Sequence, residues 1–214
     1  MEQVTIRPER EHDYSQVEHL IRRAFYNIYV PGCTEHYLAH VIRSHPDFLP
    51  ELDLVLELDG QVTGSIMYTK STLTDETGRE KTILTFGPVC IQPEYQRRGL
   101  GKQLMEESFR RAVALGYEAI VIFGDPNNYV GCGFRSCKKY RVHQEDGTYP
   151  AAMLVKELQP GALGGRHWVY RQSPAFDFDE EAARRFDEAL APMEKKYLPC
   201  QEAFAILSQA TLPE

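Results

Sequence analysis

Gln96-Arg97-Arg98-Gly99-Leu100-Gly101-Lys102 joins a predicted strand, Lys81–Ile91, to a predicted amphipathic helix, Leu100–Leu115. The first turn of a helix presents main-chain N–H groups without intrahelical partners, and the helix dipole makes that end positive. Two glycines let the backbone come close to a bulky anion, and three cationic side chains add positive charge beside it. The stretch therefore predicts a phosphate-binding turn.

Two common phosphate-binding loops are excluded by single residues near this turn. A Walker A loop requires a glycine at position 96 and a serine or threonine at position 103, but the sequence has Gln96 and Gln103. A dinucleotide-binding fingerprint requires a glycine where Leu104 stands. An ordinary glycine-containing turn with a solvated basic run is the other interpretation.

The order of the predicted elements indicates a mixed α/β domain. A strand and two helices come first, followed by three strands, the junction helix, a short buried strand and a final antiparallel pair. In chain order these are Val4–Arg7, Tyr14–Phe25, Glu35–Arg43, Leu52–Leu58, Gln61–Thr72, Lys81–Ile91, Leu100–Leu115, Ala119–Phe123, Phe134–Val142 and Ala151–Leu158. The strands on either side of the junction helix form a βαβ unit and are therefore predicted to be parallel.

The composition changes after Leu158, where two glycine-containing pairs mark a linker. Helices are predicted beyond it at Asp179–Leu190 and Gln201–Gln209. We therefore divide the chain into a domain of residues 1–158 and a C-terminal helical extension of residues 159–214 that packs on it. A lid or acidic wall that selects a cationic acceptor is the alternative role for the extension.

Two motifs resemble those of the GNAT superfamily of N-acetyltransferases. The family motif Q/R-x-x-G-x-G/A is complete as Gln96-Arg97-Arg98-Gly99-Leu100-Gly101, and Tyr129-Val130-Gly131-Cys132-Gly133-Phe134 is similar to the family's Tyr-x-x-x-Gly-Phe. The resemblance covers residues 2–158. It implies a central, mostly antiparallel twisted sheet with one splayed parallel strand pair and flanking helices. It also implies an enzyme that uses acetyl-CoA to acetylate a primary amine of a small molecule or peptide.

The resemblance assigns ten residues to the cofactor and one to catalysis. The cofactor-binding residues are Val89, Cys90, Ile91, Gln96, Arg97, Arg98, Gly99, Leu100, Gly101 and Lys102. In the family, the pantetheine arm lies between the splayed strands and bonds to the earlier one, here at Val89–Ile91. Tyr129 matches the general acid that protonates the leaving thiolate. From ordinary pKa values this transfer costs about 2 kcal/mol. A packing residue with a capped hydroxyl is the alternative interpretation of Tyr129.

The general base is not evident from the sequence. The strand Lys81–Ile91 lacks the glutamate that some relatives carry, which favours a water relay or a residue from elsewhere. Glu35, His36 and His40 lie in the region that borders the acceptor in this family. The two histidines have a spacing that a metal site can use, but no glutamate stands at position 37, and we predict no metal. Surface or packing histidines are the simplest interpretation.

The composition limits the partners and the location. The formal net charge of −7 disfavours nucleic acid as a partner. The five cysteines are odd in number and form no CxxC pair, which indicates free thiols in a reducing compartment. The first residues show no secretory signal and no apolar run is long enough to span a bilayer, so we expect a cytoplasmic protein without membrane contact. The resemblance also allows a homodimer.

A second class of function fits the same motifs. A non-catalytic acyl-CoA-binding sensor or interaction module on this fold would keep Gln96–Lys102 and would not need Tyr129. Release of CoA in the presence of an amine separates the two classes, because only the enzyme would show it.

Overall fold

The fold is built on a nine-stranded sheet with helices packed on both faces. The computed structural model describes residues 2–213 of the chain. In chain order the elements are β1 (Val4–Pro8), α1 (Tyr14–Phe25), α2 (Glu35–Ile42), β2 (Leu54–Leu58), β3 (Gln61–Asp75), β4 (Glu80–Ile91), α3 (Leu100–Ala114), β5 (Ala119–Phe123), α4 (Pro126–Tyr129), β6 (Arg135–Ser136), β7 (Val142–His143), β8 (Met153–Glu157), β9 (Trp168–Arg171), α5 (Glu180–Glu188) and α6 (Pro199–Gln209). None of the helices within these residues is both long and apolar enough to cross a membrane.

Most neighbouring strands are antiparallel, and their order is β1-β2-β3-β4-β5-β8-β6. The exception along this path is β4 with β5, which are parallel because α3 crosses over between them. β9 lies off the path and pairs with the end of β3, and the two-residue β7 pairs with β9 in parallel. The predicted mixed α/β class, with a mostly antiparallel sheet, a parallel crossover pair and flanking helices, is confirmed.

The parallel strands β4 and β5 separate soon after they meet. Within the described residues, their pairing is limited to Leu84 with Ile120. Further along β4, residues Val89–Ile91 pair with β3. The carboxyl ends of the two parallel strands therefore leave a gap between them, and the turn into α3 follows at that edge.

Alternating strand residues divide the core into two layers. Leu56 of β2 belongs to the same buried cluster as Leu104 of α3, on one face of the sheet. Val55, the residue before Leu56 on β2, points to the opposite face and belongs to the cluster that contains Ile21 of α1. All four side chains are fully buried, and burial of each stabilises the fold by about 1.5–3 kcal/mol. This packing holds α1 and α3 on opposite sides of β4.

The predicted strand Phe134–Val142 is wrong over most of its length. Its second and third residues pair with β8, and a 3-10 helix, Cys137–Tyr140, follows before β7. The fully buried Phe134 and Cys137 are three residues apart, which is the period of a 3-10 turn and not of a strand. Arg141 then adopts a left-handed conformation with φ of 53°, which turns the chain away from β8.

Strand β9 lies where the sequence predicts only a linker. Its residues alternate, with Trp168 and Tyr170 buried in the core and Arg171 exposed. Trp168 Nε1–H donates to the carbonyl oxygen of Leu163 at 2.9 Å, which fixes the start of the strand. The extension therefore begins by adding a strand to the sheet, and the division of the chain at residue 158 stays a prediction.

A buried polar cluster holds α5 against the first two helices. Arg22 Nε of α1 donates to Asp187 Oδ1 of α5 at 2.7 Å, and both side chains are about nine-tenths buried or more. His36 of α2 is fully buried, with Nδ1 3.4 Å from Cys33 Sγ and Nε2 3.3 Å from Asp187 Oδ1. Burial lowers the pKa of His36 to about 4, so the imidazole is neutral at pH 7.

Acid is expected to destabilise the fold through His36. The pKa is about 4 in the folded protein and 6.5 ordinarily, so between these values the unfolded chain binds a proton that the folded chain does not. This contribution to the free energy of unfolding is complete above pH 6.5 and falls by about 2–3 kcal/mol on acidification to pH 4.5. Urea unfolding at pH 7.5 and 4.5 measures the change. His36→Gln should lose this part of the pH dependence, and identical pH profiles for the two proteins would contradict the assignment.

Candidate functional site

A cleft of about 510 Å³ opens where β4 and β5 separate. It is lined by the end of β4, the turn into α3, the first turn of α3, the end of α1 and the region of α4. The lining residues are Ala24, Phe25, Ile28, Tyr29, Val89, Cys90, Ile91, Tyr95, Gln96, Arg97, Gly99, Leu100, Gly101, Lys102, Met105, Asn128, Tyr129 and Cys132. The cleft brings together the predicted catalytic tyrosine and all of the predicted cofactor-binding residues except Arg98.

The turn before α3 presents a row of main-chain donors. Within residues 2–213, the N–H groups from Arg97 through Lys102 donate to no protein acceptor. Gly99 is the N-cap residue of α3 with a left-handed φ of 82°, and Arg97 has a φ of 61°. Left-handed residues next to a helix start direct successive N–H groups toward one point and form an anion-binding nest, to which the helix dipole adds positive potential. This turn can therefore bind an anionic group such as a diphosphate.

The turn is held close to the end of β4. Gln96 Nε2 donates to the carbonyl oxygen of Ile91 at 2.9 Å, which closes the loop between strand and helix. A Cβ added at Gly101 would lie 3.5 Å from Ile91 Cγ1, an ordinary van der Waals contact. The side chain of the first motif residue therefore positions the turn, and the fold leaves room for a Cβ at position 101.

The three cations of the motif are not equivalent. Arg97 and Lys102 line the cleft. The guanidinium of Arg98 instead forms an ion pair with Glu2 and lies 5.6 Å from the ring centre of Tyr95. The side chain of Arg98 is therefore engaged with Glu2 in this structure, and its positive charge beside the anion stays a prediction. A cofactor contact of Arg98 through its main-chain N–H stays a prediction.

The last residues of β4 have main-chain groups that face the gap. Gln92 N–H donates to the carbonyl oxygen of Thr63 on β3 at 2.7 Å. In an antiparallel ladder the direction of these groups alternates, so Cys90 directs its N–H and C=O to β3. Val89 and Ile91 direct theirs to the opposite side, where β5 has moved away. An extended ligand in the gap can therefore bond to β4 as an additional strand would.

Tyr129 is the last residue of α4 and lines the same cleft. Its ring packs against Phe86 and Phe134, with a centroid distance of 5.9 Å to each. Within residues 2–213 its hydroxyl has no protein hydrogen-bond partner, and the choice between a general acid and a packing residue stays a prediction. Burial raises the pKa of Tyr129, and the hydroxyl therefore carries its proton at neutral pH.

Gly124 makes room for the ring of Tyr129. It follows β5, and a Cβ added there would lie 2.5 Å from Tyr129 Cε2 and 3.3 Å from Cζ. Real Cβ atoms do not approach other atoms this closely, and a ring packed against two other aromatic rings resists displacement. The absence of a side chain at Gly124 therefore sets the position of the tyrosine.

Eight lining residues were missed by sequence reasoning, and they include Phe25, Ile28, Tyr29 and Asn128. Phe25, Ile28 and Tyr29 come from the end of α1 and the loop after it, and Asn128 comes from α4. Asn128 could have been found from its position next to Tyr129. No motif connects Phe25, Ile28 and Tyr29 to the cleft, since they reach it only because α1 packs against β4 in three dimensions. Burial raises the pKa of Tyr29 to about 12.

The residues expected near the acceptor have separate surroundings. His36 is fully buried, whereas His40 is exposed with Nδ1 3.1 Å from Glu18 Oε1. The described part of the chain contains no group of three or more side chains that could hold a metal ion. Glu35 accepts a hydrogen bond from Thr34 N–H at 3.0 Å, and burial raises its pKa. None of the three is among the residues that line the cleft.

Sequence comparisons relate the chain to known acetyltransferases. The family model described as "Acetyltransferase (GNAT) family" matches residues 16–134, which is more than half of the chain. The N-acetyltransferase YhbS of Escherichia coli K12 is 29% identical over 161 residues, which cover 75% of this chain and 90% of YhbS. The N-acetyltransferase YjhQ of the same organism is 26% identical over 108 residues, or 50% of this chain and 56% of YjhQ.

Solved structures share the fold. The crystal structure of YhbS from Escherichia coli in complex with CoA has a TM-score of 0.71 and 24% identity, and the match covers 83% of this chain and 94% of that one. A GNAT family acetyltransferase from Brucella melitensis in complex with acetyl-CoA has a TM-score of 0.63 and 24% identity, with 82% and 99% covered. At this level of identity the likeness establishes the fold.

Proposed function

Because this chain belongs to the acetyltransferase (GNAT) family, we propose that it transfers the acetyl group of acetyl-CoA to a primary amine of a small molecule or peptide. The row of unpartnered N–H groups at Arg97–Lys102, in one cleft with Tyr129, is the observation that carries this proposal. The CoA and acetyl-CoA complexes of the two structural relatives support the choice of cofactor. A cytoplasmic location and a homodimer stay predictions from the sequence.

The residues of the cleft fit the parts of acetyl-CoA. The N–H groups of the turn, with Arg97 and Lys102, offer charge-assisted hydrogen bonds to a diphosphate. The main-chain groups of Val89 and the N–H of Ile91 suit the amide-bearing pantetheine arm, because amides can pair with an open strand edge. The carbonyl oxygen of Ile91 already accepts from Gln96. The same cleft then holds the diphosphate, the arm and the tyrosine.

Each residue has a defined part in the proposed reaction. Acetyl-CoA supplies an activated thioester, and the acceptor amine attacks its carbonyl carbon. A main-chain N–H of Val89 or Ile91 faces the gap, where it is available to donate to a developing oxyanion. As the carbon–sulfur bond breaks, the hydroxyl of Tyr129 gives its proton to the leaving sulfur. The proton that the attacking nitrogen loses passes to water, and water returns a proton to Tyr129.

Burial affects the cost of that proton transfer. It raises the pKa of Tyr129, which by itself makes the phenol a weaker acid than the ordinary value assumes. A thiolate that leaves within the same cleft is also desolvated, and its pKa rises as well. The transfer depends on the difference between the two pKa values, which changes less than either value alone.

Release of CoA with a panel of primary amines tests the proposal. We expect the wild-type protein to release free CoA thiol faster with at least one amine than without.

No carboxylate or histidine lines the cleft within residues 2–213, and this observation favours the non-catalytic sensor as the second candidate. Tight binding of acetyl-CoA without turnover of any amine would support the sensor. Binding of Mg-ATP in preference to CoA would contradict both.

Gly124→Ala is expected to lower kcat about 10- to 100-fold, because a misplacement of a reacting group by about 1 Å has effects of this size. The added Cβ clashes with the Tyr129 ring and displaces it. The affinity for acetyl-CoA, measured by calorimetry, should stay at the wild-type value. Gly131→Ala is the matched control, since its Cβ would meet nothing within 4 Å. Equal kcat values for the two variants would remove Gly124 from this role.

A further inference from the structure

Helix α6 of the extension is tied at both ends to loops near the cleft. At its start, Gln201 Nε2 donates to the carbonyl oxygen of Asn27 at 3.0 Å, and Asn27 Nδ2 donates to the carbonyl oxygen of Glu194 at 2.9 Å. At its end, Ala151 N–H donates to the carbonyl oxygen of Ala210 at 2.8 Å. The helix therefore connects the loop after α1 with the segment that leads into β8.

These two attachment points flank the reaction end of the cleft. The loop that contains Asn27 continues into Tyr29, which lines the cleft together with Tyr129. The segment before β8 continues to Ala152, whose carbonyl oxygen accepts a hydrogen bond from Gly124 N–H at 2.9 Å. Gly124 in turn contacts the Tyr129 ring. Helix α6 is thus fixed to both chain segments that position the two tyrosines.

Between its attachments, α6 places the ring of Phe204 against Tyr29, which lines the cleft, although Phe204 itself is not among the lining residues. The centre of the Phe204 ring lies 4.5 Å from that of Tyr29, and the Tyr29 ring lies 5.9 Å from that of Phe25. Phe204 is still 37% exposed, and Ile206 on the same helix is 64% exposed. We call Phe25, Tyr29 and Phe204 the aromatic wall.

We propose that the aromatic wall binds the body of the acceptor and that the enzyme prefers primary amines that carry an aromatic ring. This inference rests on the proposed acetyl transfer. The wall has no charged group, and its rings remain partly open, so an aromatic body gains apolar burial and ring-on-ring contacts there. A small polar amine gains neither.

Phe204 is the residue of the wall that the C-terminal extension supplies. It lies outside residues 16–134, which the family model matches. We therefore infer that the C-terminal extension adds a specificity-determining side chain to a reaction centre built by the rest of the chain. The extension would then act on the choice of acceptor and not on the binding of CoA.

Calorimetry with protein saturated with CoA tests this inference without turnover. The probes are 2-phenylethylamine and ethylamine, which share the ammonium group and differ in the ring. We expect the wild type to bind 2-phenylethylamine about tenfold or more tightly than ethylamine, as expected for burial of part of a ring. Phe204→Ala should lose about tenfold in affinity for 2-phenylethylamine only. Ile206→Ala, on the same helix, should match the wild type.

Three results would overturn the inference. They are equal wild-type affinity for the two amines, an equal loss in Ile206→Ala and Phe204→Ala, and weaker CoA binding in Phe204→Ala with the amine preference intact. The last result would assign the wall to the cofactor. If turnover occurs, the KM for 2-phenylethylamine should rise in Phe204→Ala while kcat stays unchanged. Absence of turnover would count against the acetyl transfer alone, since the binding comparison does not depend on it.

Discussion

Tyr129→Phe is expected to lower kcat about 100- to 1,000-fold, the range of a lost general acid. The variant keeps the ring, and with it the packing against Phe86 and Phe134. Because the hydroxyl has no partner within residues 2–213, its removal leaves no buried group unsatisfied. The melting temperature and the affinity for acetyl-CoA should therefore equal those of the wild type. Steady-state kinetics with the best amine of the panel measure the effect.

The pH dependence of the wild type gives a second test of this role. Burial raises the pKa of Tyr129 above its ordinary value near 10, so the hydroxyl keeps its proton throughout the neutral and mildly alkaline range. We expect no fall in kcat between about pH 8 and pH 9.5 from loss of this proton. A Tyr129→Phe variant with the kcat of the wild type would assign protonation of the sulfur to water.

Gly101→Val is expected to weaken acetyl-CoA binding by about 100-fold or more. The glycine lines the cleft in the first turn of α3, and a Cβ there makes only an ordinary contact with Ile91, so the fold tolerates the change. A branched side chain among the main-chain donors keeps the diphosphate at a distance. The loss of two charge-assisted hydrogen bonds, at about 1.5 kcal/mol each, corresponds to about 100-fold. Calorimetry with acetyl-CoA measures it.

Gly99→Val should have the same effect on binding and an added cost in stability. Gly99 has a φ of 82°, a conformation that costs other residues about 1–2 kcal/mol. Gly78→Val separates the two effects, because Gly78 has a φ of 84° and open space around it in the turn between β3 and β4. It should lose the same stability and bind acetyl-CoA normally. Unchanged affinity in both loop variants would count heavily against the site.

The half of the cleft that contains the proposed phosphate-binding turn could be predicted because its parts are close together in the chain. The end of β4, the turn and the first turn of α3 lie within residues 89–102, so one motif specifies the strand, the helix start and the glycines. Tyr129 was reached through a second motif at the end of the crossover unit. The direction of the main-chain N–H and C=O groups of Val89 and Ile91 follows from strand geometry once the register of β4 with β3 is known.

The side of the cleft that we propose for the acceptor could not be predicted because distant segments build it. Tyr29 and Phe204 meet only after the extension has packed beside the loop that contains Asn27. Likewise, Arg98 carries the same charge as its neighbours in the sequence, and only the folded chain shows that Glu2 engages it. Strand β9, which begins at Trp168, alternates buried and more exposed side chains as a strand should. It follows a glycine-rich linker, however, and no hairpin signal in the sequence indicates the strand with which it pairs.

The backbone amide resonances of residues 97–102 report whether the turn before α3 binds the diphosphate of CoA. We titrate the isotope-labelled protein with CoA and with pantetheine, which lacks the diphosphate. We expect the amide signals of Arg97 through Lys102 to shift most with CoA and hardly at all with pantetheine, whereas those of Val89 and Ile91 should shift with both. If the signals of Arg97 through Lys102 stay in place at saturating CoA while others move, CoA binds elsewhere and the account is contradicted.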